Sequence, residues 1–392
     1  MGDSLERALE GTRVVALEQA VALPFCTLML ASMGADVVKV ETPGGGDVVR
    51  GWDDAVGGLS TGFVAFNAGK RDLTVDAKHP EGRRLLRALV ARSDVFVENF
   101  APGVAERLGL GVDELRAADS RLIYCSLSGY GQDGPYRHTK AYDLLVQGES
   151  GLLLTNGTEA EPAKVGIPVT DQIAGAHAAL AIVAALRRRE RTGEGAHLDV
   201  SMLESTVYWL AYYPHHLWHG GAEPPRSGMR HQYLCPYGPF PTGDGEYINV
   251  VVASRSDWIR FCEALDRSDW IDDPRFASIA ARREHRALLE GLVEDVTRTR
   301  TVAEWAVRLE RVGLPHGRVR TISEVLSHPQ LQHRGLFVQG DSPVGQVPLV
   351  RFPQARSDRL RVPGLGEDTD EILGELGYGP EDVSELRERG IV

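Results

Sequence analysis

An aspartate stands where a long apolar helix should begin. Asp171 follows Pro168-Val-Thr170 and opens the run DQIAGAHAALAIVAALRRR. Aspartate is a common helix N-cap, because its carboxylate accepts from first-turn N–H groups. It also serves as a carboxylate nucleophile where a helix N-terminus keeps it ionised and an apolar site strips its water. The two roles are compatible. Lys140-Ala-Tyr142-Asp143, after Gly131-Gln-Asp-Gly-Pro135, reads either as a solvated loop or as a charged and aromatic clamp on an anion. Val97-Glu-Asn-Phe100, before Ala101-Pro-Gly103, is either simple turn chemistry or the ligand-facing end of a parallel strand. His215, His216 and His219 form the densest histidine cluster. The four-residue spacing of His215 and His219 suits helix-borne metal ligands. Pro214 and the lack of HExxH favour aromatic packing instead.

These residues need elements to hold them. Apolar runs at 13–17, 35–41, 71–76, 94–99, 122–128 and 196–202 read as strands. Residues from Pro24 to Met33 have helical composition. Pro80 opens a helix whose Leu85, Leu86, Leu89 and Val90 recur at the 3.6 period. The run 171–189 is apolar nearly all round, which predicts burial on most sides, with Gly193 as its C-terminal cap. Strands alternating with helices predict an α/β fold with a Rossmann-like parallel sheet. Gly220–Arg230 reads as a linker. Beyond it, a hairpin around Gly243-Asp244-Gly245 and capping boxes at Thr301/Glu304 and Thr321/Glu324 suggest a smaller α+β domain. The expected organisation is a large domain over 1–220, a small domain with linkers over 221–330, and a return to the large domain over 331–392.

The first strand-to-helix turn reads EQAVALPFCT and lacks GxGxxG, and no GxxxxGK[ST] occurs. Gly109-Leu-Gly111 follows no strand. The chain of 392 residues carries a net charge of −12, which disfavours nucleic acid as a partner. No apolar run approaches the roughly 18 residues that span a bilayer, so no membrane partner is expected. The start MGDSLERALEG lacks a signal peptide's features, and Glu6 weakens its likeness to a myristoylation site. Cys26, Cys125, Cys235 and Cys262 are scattered without a CxxC pair, as in a cytoplasmic protein with reduced thiols.

In this order, several segments resemble the class III (CaiB/BaiF-type) CoA-transferases, the family of formyl-CoA transferase and alpha-methylacyl-CoA racemase. They are Val38-Lys-Val-Glu41 with Gly46-Asp47 and Arg50-Gly-Trp52, Asn67 to Arg71, Val97-Glu-Asn-Phe100 through Arg107-Leu-Gly109, and Gly129-Tyr-Gly131. Tyr142-Asp143, Asp171, Arg191-Thr-Gly193, Asp199 to Met202, Tyr237 to Phe240 and His328 to Leu331 complete the set. The resemblance covers nearly the whole chain. It implies two interlocked subunits, a homodimer, with no permanently bound cofactor and a coenzyme A thioester as substrate. It implies a catalytic aspartate at Asp171. It puts CoA adenine and phosphates near Val75, Lys78, Asn99, Phe100 and Arg107, and pantetheine near Val21, Lys140 and Tyr142.

The implied activity is transfer of CoA from an acyl-CoA to a carboxylic acid, through an aspartyl mixed anhydride and an aspartyl-CoA thioester. Val21 replaces the glutamine of the formyl-CoA enzymes, and their glycine-rich small-domain loop is missing. The YDLLVQGESG and YGPFPTGDG phrasing is similar to branches acting on C4–C5 dicarboxylates of the mesaconyl and succinyl type. An acyl-CoA racemase is the rival within the family, but its histidine is here Tyr142, a poor base at neutral pH. Rivals of other classes are an NAD-dependent oxidoreductase and a non-catalytic CoA-binding protein. The five lysines all lie within the first 164 residues. Lys78 and Lys140 fall on CoA-contacting positions, and Lys70 lies in a segment leading to them. With Arg107 they predict a local cationic groove on an acidic protein.

Overall fold

Val14, Val15 and Ala16 are wholly buried, and so are Val95, Phe96 and Val97. Strands covered on both faces are the mark of a parallel sheet between helical layers. The structure is a computed structural model that describes residues 4–356 and 360–392. Its first part runs β1 (Arg13–Leu17), α1 (Ala22–Ser32), β2 (Asp36–Glu41), α2 (Thr61–Asn67), β3 (Arg71–Thr74) and α3 (Pro80–Val90). It continues with β4 (Val95–Glu98), α4 (Val104–Arg107), α5 (Val112–Ala118), β5 (Ile123–Ser128), α6 (Asp143–Glu149), α7 (Leu152–Thr155), α8 (Val169–Thr192), β6 (His197–Ser201) and α9 (Met202–Trp209). Pro80 takes the first turn of α3, and His79 Nδ1 caps it by accepting from Glu81 N.

The six strands pair in parallel in the order β3-β2-β1-β4-β5-β6. Strand order reverses between β1 and β4, so a crevice opens beyond their carboxyl ends. One apolar core joins α1 and α8 to the sheet, and another packs α3 and the C-terminal helices on the opposite face. The outer edge of β3 is not left bare. Asp368 Oδ2 accepts from Asp72 N at 2.8 Å and Thr369 Oγ1 from Thr74 N at 3.2 Å. Such cover blunts an edge that would otherwise pair with another chain.

Helix α8 departs from expectation in two ways. Leu180 is 69% exposed, so the helix is not enclosed all round within one chain. Its alanine-rich sequence is also long and apolar enough to cross a membrane by composition, contrary to the sequence reading. Half of that apolar window is buried in the protein, where it forms the core against the sheet.

The chain clusters into two units. The first comprises residues up to Ser150, Val165–Tyr212 and Pro329–Val392, and the second Gly151–Lys164 and Tyr213–His328. The first unit also holds a three-stranded sheet of Phe337–Asp341, Val347–Val350 and Leu360–Arg361. In the second unit, Tyr237–Pro241 and Tyr247–Val251 form the antiparallel hairpin, extended by His316–Arg318. Trp258, Trp270, Trp305 and Phe276 fill its core. Both capping boxes form at Thr301 and Thr321. All four cysteines are free and buried.

Candidate active site

The N-terminus of α8 is capped from outside its own chain segment. The cap position falls on Pro168, which has no side-chain acceptor. Asp143 Oδ1, at the start of α6, accepts from both Thr170 N and Thr170 Oγ1 at 2.9 Å. Asp143 Oδ2 accepts from the fully buried Gln147 Nε2 at 2.7 Å, and Gln147 Oε1 accepts from Val165 N at 2.9 Å. Asp171 is therefore the third helical residue, not the cap. Among the described residues nothing donates a hydrogen bond to its carboxyl. Burial, and secondarily the negative charge of Asp143, push its pKa up to about 7. The expectation of a carboxylate held firmly ionised is thus corrected. The desolvation that prepares a nucleophile also penalises its charge, and no donor compensates.

One turn further along the same helical face lies Gly175. A Cβ built there would stand 2.3 Å from the Ala22 carbonyl oxygen and 3.3 Å from Cys26 N. Only glycine lets α1 and α8 approach so closely. The contact brings the first turn of α1, and Val21 just before it, against the helix that carries Asp171. Val21 itself is 2% exposed.

The turn from β1 into α1 is held from several sides. Gln19 N donates to Asn99 Oδ1, and Asn99 Nδ2 donates to Gln19 O, both at 2.9 Å. Ala20 has φ of +61°, a strained value for a residue with a Cβ. Its N–H donates to Asp47 Oδ1 at 3.0 Å. Asp47 Oδ2 in turn pairs with Lys39 Nζ at 2.8 Å. Lys70 Nζ pairs with Glu18 Oε1 at 2.7 Å and donates to Asn67 Oδ1 and Pro24 O. Burial pulls the Lys70 ammonium down to about 8, against the opposing pull of Glu18.

This network corrects the reading of the lysines. Lys39 and Lys70 are buried and ion-paired beneath the turn, so Lys70 lends no charge to an open groove. Lys78 and Lys140 are exposed.

The remaining candidates leave the carboxyl ends of strands. Val75 follows β3 and Phe100 follows β4, and the two line one small cleft with Leu17, Gln19, Glu41 and Asp47. Asn99 joins that cleft through Gln19. Lys78 lies past β3, exposed Arg107 ends α4, and Lys140 and Tyr142 lie between β5 and α6. These four do not line the cleft, and Tyr142 is 74% exposed.

The structure gives a distinct part to residues that the sequence reading held only inside longer motifs or passed over. Glu98 is buried at the end of β4, and its Oε2 accepts from Phe100 N at 2.9 Å. Burial pushes its carboxyl up to about 7. A charged residue closing an apolar strand was its only signal. Gly175 was visible as a lone glycine in a helix, and Gln147 only as one letter of the YDLLVQGESG run. His215 packs edge-on against Trp218, and its ring stacks with His219. Among the described residues no three His, Cys, Asp or Glu side chains converge as a metal set.

The profile of CoA-transferase family III matches residues 9–369. The human succinyl-CoA:glutarate CoA-transferase is 33% identical over 98% of this chain and 90% of its own. The succinate–glutarate CoA-transferase of Agrobacterium fabrum is 37% identical over 94% of this chain and 95% of its own. The crystal structure of a CAIB/BAIF family protein from Brucella suis superposes with a TM-score of 0.84 at 34% identity. It covers 95% of this chain and 100% of that one.

Proposed function

The chain belongs to CoA-transferase family III and is an enzyme that moves coenzyme A between acyl groups, and we propose that it does so on C4–C5 dicarboxylates with Asp171 as nucleophile. The dicarboxylate reading is supported by relatives that are named for succinate and glutarate. The observation that carries the nucleophile is the Asp171 carboxyl itself. It sits in the first turn of α8, desolvated and without a hydrogen-bond donor among the described residues, while the capping duty falls to Asp143.

Thioester exchange is nearly isoergic, so the barrier is kinetic. Ionised Asp171 attacks the donor's thioester carbonyl, the C–S bond breaks, and CoA thiolate leaves a mixed anhydride. The thiolate attacks Cγ of Asp171 and releases the donor's carboxylate, leaving an aspartyl-CoA thioester. The acceptor carboxylate attacks that Cγ and expels the thiolate. The thiolate then attacks the acceptor's acyl carbon, which frees Asp171. Covalent catalysis divides one slow exchange into faster steps. A carboxylate with no donor to satisfy it is a stronger nucleophile than a hydrogen-bonded one.

In this reading, Val75, Phe100, Asn99, Lys78 and Arg107 receive the nucleotide end of CoA beyond β3 and β4. Val21, Lys140 and Tyr142 border the pantetheine arm. No resident cofactor enters the reaction. The enzyme works as a homodimer, and exposed Leu180, Tyr208, Trp209 and Tyr212 in the first unit are apolar surface suited to an interface.

The test is mass-spectrometric. Succinyl-CoA is incubated without ATP against a panel of C2–C6 mono- and dicarboxylic acids. New CoA esters of C4–C5 dicarboxylates are expected, and absent for Asp171→Ala. Transfer confined to monocarboxylates would overturn the substrate reading, and an active Asp171→Ala the nucleophile.

A further inference from the structure

We propose that Asp143 is the positioning residue of the nucleophile, fixing the first turn of α8 through Thr170 and itself fixed by the buried side chain of Gln147. The inference deepens, and rests on, the reading of Asp171 as nucleophile.

Three observations meet here. First, α8 begins at a proline, so no side chain of its own cap residue accepts from the first turn. The orphan N–H groups of a helix start require acceptors. One carboxylate oxygen of Asp143 takes both the Thr170 N–H and the Thr170 hydroxyl. Thr170 is wholly buried and directly precedes Asp171. Two bonds from one residue fix rotation as well as position.

Second, Gln147 is used at both ends. Its Nε2 donates to the other oxygen of Asp143, and its Oε1 accepts from Val165 N. The segment entering α8 is therefore pinned at Val165 and at Thr170, with Pro168 between the two pins. The Gln147 amide oxygen and both Asp143 carboxylate oxygens each have a partner, as buried polar groups require. Asp143 and Gln147 stand four apart on α6 and share one face.

Third, the same Asp143 carboxylate is the one charged group that acts on the Asp171 carboxyl among the described residues, raising its pKa beyond the effect of burial. The capping group thus governs both where the nucleophile points and how readily it ionises. The arrangement also explains why Asp171 is left without donors. Asp143 has taken the cap.

The chemistry predicts a specific pattern of variants. In Asp143→Asn, the amide oxygen still faces Thr170, but its NH2 meets the Gln147 NH2, and two donors confront each other. In the double variant Asp143→Asn with Gln147→Glu, the carboxylate introduced at position 147 accepts from both the amide NH2 introduced at position 143 and Val165 N, so every hydrogen bond is rebuilt. We expect kcat to fall roughly 10- to 100-fold in Asp143→Asn with KM for succinyl-CoA changed less than about threefold, since misplacement of a reacting group by an ångström has that scale of effect. The acid limb of kcat/KM should move to lower pH. The double variant should recover kcat to within a few-fold of wild type.

Each protein is checked for folding by circular dichroism, and for the covalent aspartyl-CoA adduct by peptide mass spectrometry after acid quench. Wild-type kcat and an unmoved acid limb in Asp143→Asn would overturn the proposal. So would a folded double variant that recovers no activity. Absence of any adduct at Asp171 in the wild type would instead sink the nucleophile reading, which keeps the two failures distinct.

Discussion

Asn99 and Gln19 exchange two hydrogen bonds of 2.9 Å, the side-chain amide of one clasping the backbone N–H and C=O of the other. The clasp joins the turns that leave β1 and β4, the two strands flanking the point where sheet order reverses. It holds Ala20 in its strained conformation together with Asp47. Asn99→Asp keeps the acceptor and loses the donor, leaving the Gln19 carbonyl without its partner. A lost hydrogen bond of this kind costs about 1 kcal/mol. Because it acts on the proposed CoA groove, KM for the acyl-CoA should rise about fivefold or more, with kcat affected less. Steady-state kinetics check this, and a change confined to kcat would contradict it.

Gly175 makes a second, steric prediction. A methyl group there meets the Ala22 carbonyl at 2.3 Å, a backbone atom that cannot swing aside. Gly175→Ala must therefore push α1 away from α8. Helix propensity alone would favour alanine by roughly 1 kcal/mol. The collision dominates, so the variant should melt at a lower temperature and lose at least tenfold in kcat. A more stable variant of normal activity would refute the close approach.

The lysines separate into two kinds, and stability distinguishes them. Lys70→Met leaves Glu18 buried with Lys39 at 3.7 Å and the Thr27 hydroxyl as its remaining partners. Removing one member of a buried pair typically costs about 3–5 kcal/mol. Chemical denaturation should show a loss of that order. Lys78 is exposed, so Lys78→Ala should leave stability within about 0.5 kcal/mol. Its effect should fall on KM for acyl-CoA instead, raising it several-fold.

How far the sequence revealed this arrangement depends on the range of the interaction. The runs at 13–17 and 122–128 read as strands because continuous apolar residues are a local signal, and they emerge as β1 and β5 with shifts of a residue at most. Pro80 and the capping boxes were equally local. The α8 cap was not. Asp143 lies 27 residues from Thr170, and nothing in either segment alone shows that one completes the other. The burial of Lys70 had the same cause, since its partner Glu18 is 52 residues away. Local sequence could show that Asp171 begins a helix, but the absence of donors around its carboxyl is a property of the assembled fold.

That absence gives Asp171 a pH signature in both activity and stability. Its carboxyl is raised to about 7 by burial and by Asp143, and attack requires the ionised form. In the free enzyme kcat/KM should therefore fall roughly tenfold per unit as pH drops below about 7. The stability effect runs the other way. An ordinary aspartate titrates near 3.9 in the unfolded chain, so between about pH 4 and pH 7 the folded state binds the proton more tightly than the unfolded one. Stability consequently declines as pH rises through that window, and the full penalty is present above it. Asp171→Asn removes the titration. It should be more stable than wild type at pH 8, by roughly 4 kcal/mol for a carboxyl raised from near 3.9 to about 7, and the difference should vanish near pH 4. Denaturation at pH 4, 6 and 8 measures both curves. Parallel curves would mean that Asp171 ionises normally in the fold, and the acid limb of kcat/KM would then have to lie near pH 4.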